Sequence, residues 1–389
     1  MRINASNVAK FLAAALLSAA GAAGCVKFSP ATTDKTDSTP RPIEFPTPIV
    51  SPVTKADAGT DTEASTDEGV ANLEEYGFGV FGLWYPDEFS GWESTPGAAV
   101  HIDGDGFFYD GGAGSRAKGG TWISDPAHYW LPMGKMAFAA WSPYDIKESE
   151  ETALSYGATG LTIKDFDTQN GERDLMYSKR VYGKTSSQGS NPDYDGIDLV
   201  FHHALAALKF TTNAEIDRSS GWGKGDGSGT ATPTVTTVTL TSIELWGFDR
   251  KGNFSENVDE TTPLTYASDP QWSDVGTRYT EDDPLVIELD EMSAYIIPQQ
   301  IPSEAKIRIY YTVQIGDNPP LPSVSQPLSL SGSKITGTED ILASWDMGKR
   351  YVYHITVTSA VMIRFSVDIT PWHEGTDSGT GGGNTDITD

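Results

Sequence analysis

Apolar and polar residues alternate with a period of two through several long stretches of this chain. Ala305, Ile307, Ile309, Tyr311 and Val313 alternate with Lys306, Arg308, Tyr310 and Thr312. The same rhythm runs through Tyr351, Tyr353, Ile355 and Val357, and again through Val361, Ile363, Phe365, Val367 and Ile369. A strand points successive side chains to opposite faces, so this period predicts half-buried antiparallel strands. Thr234–Gly247 continues the theme, with apolar parity passing from Val238 and Leu240 to Ile243 and Leu245. Leu199–Thr211 has the Ala and Leu content of a helix. Yet Leu199, Phe201, His203 and Leu205 alternate, and so do Ala206, Leu208 and Phe210. It reads as one long strand whose parity changes near Leu205, as a bulge or bend produces. Gly77–Trp84 and Lys135–Trp141 read as buried strands, the second ended by Pro143. Asp103-Gly104-Asp105-Gly106 and Asp110-Gly111-Gly112 read as turns.

The intervening stretches are polar and rich in small residues. Residues 54–74 and 183–196 read as loops. Residues 213–233 hold Gly221, Gly223, Gly225, Gly227, Gly229 and Pro233 without periodicity, which marks a domain boundary. The expected layout is an N-terminal domain over 42–215, a C-terminal domain over 216–374 and a mobile tail over 375–389. The body is long enough for two cores.

Residues 42–53 carry a one-sided pattern. Ile43, Phe45, Ile49 and Val53 share one parity, and Pro42, Pro46, Pro48 and Pro52 share the other. Proline lacks an N–H, so the even positions cannot donate to a neighbouring strand. The pattern predicts an edge strand that pairs on one side, is blocked on the other and buries its odd residues. A proline-rich extended linker is the alternative. Residues 25–41 read as a flexible tether.

Arg2 and Lys10, the apolar run Phe11–Ala23 and the small residues Ala22-Ala23-Gly24 lead directly into Cys25, the one cysteine. This is the layout of a bacterial lipoprotein signal, in which residues 1–24 are removed and Cys25 is acylated. The run is shorter than the ~20 residues a spanning helix needs. With Cys25 so explained, the rest of the sequence offers no disulfide, thiolate ligand or cysteine nucleophile.

Charge narrows the partners. The chain carries 54 acidic and 27 basic residues, a formal charge of −27. Such a chain is repelled by nucleic acid, so nucleic-acid partners are not expected. Frequent Gly, Pro, Thr, Ser and aromatic residues suit strands and turns.

No catalytic, cofactor or metal constellation stands out. His202 and His203 are neighbours in an apolar strand and point to opposite faces, so they cannot share one metal. Asp103 and Asp105 lack the further oxygen ligands and distal Glu of a calcium loop. The many carboxylates single out no glycosidase pair. The ten Trp could line a sugar platform, but those among strand signals are expected in the core. Neither GxGxxG nor a P-loop is present. No enzyme, cofactor or metal is expected.

Taken in order, several segments resemble the fimbrillin family of exported fimbrial subunits. They are GFGVFGLW (77–84), YWLPMGKMAFAAWSPY (129–144), DLMY (174–177) and LVFHHALAALKF (199–210). IELWGFDRKGNF (243–254), YIIPQQ (295–300), WDMGKRYVYHITV (345–357) and FSVDITPW (365–372) follow. The resemblance implies an all-β fold of two transthyretin-like antiparallel β-sandwiches in tandem after the lipoprotein signal. It implies an outer-membrane or fimbrial location and assembly with other fimbrial subunits by strand exchange, once a protease removes the lipid and first strand. It further implies a donor near Val361–Trp372 with the tail. The family's cut follows an Arg with a small residue after it. Here Lys55-Ala56 takes that place, because Arg41 precedes Pro42. Two readings of function stand at this point. One is a structural subunit, tip or accessory adhesin recognising a host or bacterial surface ligand, glycan or protein. The other is a surface glycan-binding lipoprotein using exposed aromatics, while an anchor or accessory subunit would keep its lipid on Cys25.

Overall fold

The computed structural model describes residues 41–45, 49–51, 67–110, 121–148, 152–169, 171–185, 196–214, 236–259, 265–266, 269–274, 276–288, 293–357 and 363–371. Strands dominate. The first half holds β1 (Ile49–Ser51), β2 (Phe78–Tyr85), β3 (Ala99–Asp110), β4 (Thr121–Ile123), β5 (Lys135–Ser142), β6 (Ala153–Gly157), β7 (Gly160–Asp167), β8 (Met176–Ser178), β9 (Val181–Lys184) and β10 (Val200–His203). Next come β11 (Ala206–Ala214), β12 (Thr236–Trp246), β13 (Lys251–Ser255), β14 (Val258–Asp259), β15 (Thr265–Tyr266), β16 (Gln271–Asp274), β17 (Leu285–Glu288) and β18 (Ser293–Ile296). The chain continues with β19 (Gln299–Gln300), β20 (Lys306–Ile315), β21 (Leu321–Val324), β22 (Leu328–Ser329), β23 (Ser344–Trp345), β24 (Lys349–Val357) and β25 (Ile363–Pro371). The fold is all-β, as the alternation predicts.

The first sheet runs β1-β10-β8-β5-β2-β3-β4, with β9 also on β5. Its central strands are buried on both faces. From β2, Phe78 and Val80 enter one core while Phe81, Leu83 and Tyr85 enter another. From β5, Met136, Phe138 and Ala140 join the first and Ala137 and Trp141 the second. Burial on two faces explains why these segments are nearly continuous apolar runs. Gly79 leaves the room that Trp141 fills, since a Cβ there would lie 2.1 Å from the indole.

The second core is completed by Leu161, Ile163 and Phe166 of β7 and by Phe254 of β13. These strands belong to the sheet β16-β13-β7-β6, which combines strands from before and after the Gly-rich stretch. A third core fills the space between sheets β17-β12-β20-β21 and β18-β11-β24-β25, with Ile307, Ile309 and Tyr311 facing Tyr351, Tyr353 and Ile355. Contacts group the chain from Pro40 onward into one compact unit.

Leu199–Thr211 is not one bulged strand. β10 pairs with β8 in the first sheet, whereas β11 pairs with β18 and β24 in another. The parity change near Leu205 is the crossing between sheets. Ala204 N–H donates to Leu175 C=O at 2.7 Å, and Leu205 C=O accepts from Gly348 N–H at 2.9 Å. Adjacent residues are thus held by opposite halves. The change of sheet lies there, ahead of the 215/216 division expected from composition. The parity change in β12 does mark a bulge, with the register against β20 shifting between Leu240 and Ser242.

Other expectations are corrected. Residues 54–74 were expected as loop, yet α1 spans Asp67–Tyr76. Leu73 is its anchor in the first core, and Gly77 ends it at φ +66°, donating to Leu73 C=O at 2.8 Å. Asp103-Gly104-Asp105-Gly106 is the middle of β3, not a turn. The glycines there accommodate a register shift opposite Val80 and Phe81, with Gly104 at φ +68°. The pairing is not purely antiparallel, because β1–β10 and β11–β24 are parallel.

One core and one sheet contain residues from both halves, so the halves are expected to unfold together. Calorimetry should give a single transition. Phe254→Ala, which empties a fully buried ring site, should shift all of it at a cost of about 3–5 kcal/mol. Two resolved transitions, with only one displaced, would count against the shared core.

Candidate functional site

The segment just after the expected tether is built into the first sheet. Trp130 N–H donates to Arg41 C=O at 2.9 Å and Ile43 N–H donates to His128 C=O at 2.7 Å. Trp122 N–H donates to Phe45 C=O at 3.2 Å. These bonds join residues 41–45 to the β4 end of the sheet. At the opposite end, Ile197 N–H donates to Glu44 C=O at 3.1 Å, and β1 pairs in parallel with Val200–His202. The segment therefore touches both ends of the strand order and closes it.

Its odd side chains fill the interior so enclosed. Ile43 is buried and Phe45 has no exposed surface. The Phe45 ring meets Phe78, Phe107 and Phe138 edge-on, at centroid distances of 5.7, 4.8 and 5.8 Å. Burying Ile43 and Phe45 is worth about 1.5–3 kcal/mol each, and each edge-on aromatic pair adds about 0.5–1.5 kcal/mol. The receiving strip is itself braced from β3. His101 Nε2–H donates to Tyr129 C=O at 2.9 Å, and His128 Nε2 lies 3.0 Å from Asp105 Oδ2.

The predicted edge strand is thus half right. Ile43 and Phe45 are core residues of an extended segment, and Pro42 is exposed. The even side is not blocked, however. Glu44 uses its carbonyl there, and a proline's missing donor leaves acceptors intact. Parity also fails after Phe45, because Val50, an even position, packs against the same core. Ile49 lies in β1. Val53, Lys55, Ala56 and Cys25 lie outside the described residues. Trp122, His128, Trp130 and Ile197, the backbone partners, were not anticipated. They sit far along the chain and act through main-chain atoms, which leave no mark in residue identity.

His202 and His203 are both buried. His203 Nδ1 lies 2.5 Å from Asp174 Oδ2 at the crossing between sheets. Burial pushes the Asp174 carboxyl up, against the pull of His203. His202 packs on Tyr177 at 5.7 Å. Among the described residues no three His, Cys, Asp or Glu converge for a metal. Glu256, which the sequence did not single out, is fully buried. Its Oε2 accepts from Leu161 N–H at 2.8 Å. Burial raises its pKa to about 7, against the lowering pull of that N–H and of Arg180.

The sequence model of a family described as fimbrillin-like matches residues 93–372. No curated protein matches the chain. Among solved structures, a fimbrial protein from Bacteroides vulgatus is similar at 16% identity, covering 85% of this chain and 99% of that chain, with a TM-score of 0.47. A fimbrilin from Porphyromonas gingivalis is similar at 10% identity, covering 87% and 99% respectively, with a TM-score of 0.37.

Phe45→Ala should destabilise the protein by about 3–5 kcal/mol in denaturant unfolding, while Pro42→Ala should change it by less than about 0.5 kcal/mol. Equal, negligible effects would return residues 41–45 to the status of tether. Glu256 has a folded pKa above its unfolded value, so the folded state binds the extra proton between about pH 4.5 and 7. Stability from this group is full below that window and falls as pH rises through it. Glu256→Gln should therefore flatten the pH profile and raise stability at pH 8 by up to about 3 kcal/mol. An unchanged profile between pH 5 and 8, measured in parallel denaturant titrations, would refute this.

Proposed function

This chain belongs to the fimbrillin-like family, and we propose that it is a subunit or adhesin of a cell-surface fimbria whose assembly replaces the segment 41–51. The supporting observation is the seating of that segment. It is held by main-chain hydrogen bonds at both ends of one sheet and by Ile43 and Phe45 in an aromatic interior. Main-chain bonds do not depend on side-chain identity, so another extended strand with suitable apolar plugs can take the same place. Removing the segment uncovers both backbone ends and the Phe45 site together.

In this reading Cys25 is acylated and holds the precursor at the outer membrane. Cleavage between Lys55 and Ala56 frees residues 42–53 from the body, and another subunit supplies the replacement. The donor suggested by the resemblance is Val361–Trp372 with the tail. The two halves are read as tandem transthyretin-like sandwiches with no catalytic role.

Three forms test the proposal: residues 26–389 intact, the same cut after Lys55, and the cut form lacking 375–389. The cut form alone is expected to give concentration-dependent oligomers that survive dilution, seen by size-exclusion chromatography with light scattering. A cut form that stays monomeric with an unchanged melting temperature would falsify strand replacement. Mass spectrometry of the membrane-extracted precursor should find lipid on residue 25. An unmodified Cys25 would remove the anchor from the scheme.

A further inference from the structure

One end of the first sheet carries a second feature, remote in character from the closing segment. Pro86, Asp87, Glu88, Ser90, Pro96 and Lys135 line an open depression of about 770 Å³, within the size range of small-ligand sites. One wall is the loop between β2 and β3, and the other is the start of β5. Both walls are fixed. Thr95 Oγ1 accepts from Ser90 N–H at 2.9 Å and Gly91 N–H at 3.1 Å, and its hydroxyl donates to Gly91 C=O at 2.5 Å. On the other wall, Trp84 Nε1–H donates to Met133 C=O at 2.7 Å, and Gly134, at φ +84°, backs against that indole.

Beneath the loop lies a buried cation. Arg180 is 5% exposed. Its guanidinium carbon sits 5.2 Å from the Tyr156 ring centroid, 5.5 Å from Phe89 and 5.6 Å from Trp92. Nε–H donates to Tyr156 Oη at 2.8 Å, whereas Nη1 and Nη2 find no hydrogen-bond partner among the described residues. A buried guanidinium with unmet donors is expensive, and cation–π contact offsets only part of the cost.

We propose that this depression binds a neutral saccharide. Asp87 and Glu88 offer carboxylate acceptors, Lys135 an ammonium donor and Ser90 a hydroxyl that does both. None of the three charged side chains is engaged by another side chain among the described residues. Pro86 and Pro96 give flat apolar surfaces for the C–H face of a sugar ring. Tyr182, 37% exposed, stacks at 5.5 Å on Phe89 of the same loop. An anion meets two carboxylates against one ammonium. A cation meets Lys135. A polyol satisfies donors and acceptors together, and the braced walls hold the backbone that carries them. The proposal is independent of strand replacement, because the site is complete in one monomer.

Saturation-transfer NMR on the intact monomer tests it. The probes are glucose, galactose, mannose, fucose and N-acetylglucosamine, with N-acetylneuraminate and spermidine as charged controls. At least one neutral sugar should show saturable transfer. Asp87→Asn with Glu88→Gln, and separately Lys135→Met, should each weaken it about tenfold or more, the factor that loss of one charge-assisted hydrogen bond implies. These surface substitutions should leave the melting temperature unchanged. No transfer from any neutral sugar, preferential binding of either charged control, or binding indifferent to both variants would overturn the assignment. None of these results alters the oligomer assay, so this site and the strand scheme fail separately.

Discussion

Phe45 lies with its ring edges against Phe78, Phe107 and Phe138, and the first sheet is closed around that contact. A sheet that ends in unpaired strands leaves rows of unmet donors and acceptors. Here residues 41–45 and 49–51 satisfy groups at both ends of the strand order while Ile43, Phe45 and Val50 pack in the space between. Backbone pairing and apolar burial are therefore coupled in a single segment. Whatever displaced it would have to supply both. That coupling is the physical basis for reading the segment as the exchangeable part of a fimbrillin-like subunit.

The rest of the molecule is fastened independently of that segment. The core beneath the other face of the first sheet is shared with β7 and β13, and so is tied to the second half. Trp272 Nε1–H reaches Ala204 C=O at 2.6 Å at the crossing between sheets. Asp174 with His203 sits buried at the same junction. The body is thus fastened by contacts that do not involve residues 41–51. The loss of one closing segment opens one interior while the second core and the sandwich of the C-terminal half keep their own plugs.

Two buried ionisable side chains hold local geometry. Glu256 fixes the turn into β7 through Leu161 N–H, with Gly160 pressed against its carboxyl. Arg180 fixes the loop between β2 and β3 from below. Both are costly as stabilising devices, since a buried charge gives up hydration that its partners only partly return. Their value lies in position: one sets the sheet that joins the halves, and the other sets the rim of the depression at the end of the first sheet.

Alternation alone determined the strands at Ile307–Val313 and Tyr351–Ile355, the parity change in β12, and the burial of Ile43 and Phe45, because side-chain direction in a strand follows from position. The fimbrillin-like family was legible in the order of short segments for a related reason: they carry strand-core residues together with the turns that join them. Only the tertiary structure decided which sheet each strand joins. The parity change at Leu205 looked like a bulge, and whether such a change bends a strand or moves it to another sheet depends on partners far along the chain. The helix α1 is not legible in the sequence because Leu73 is its one core residue among the described side chains, and no period can be read from one point. The even side of residues 42–45 looked closed because proline removes donors. Its neighbour at Ile197 asks only for an acceptor, and the direction of a backbone hydrogen bond is set by the strand that arrives, not by the sequence that waits for it.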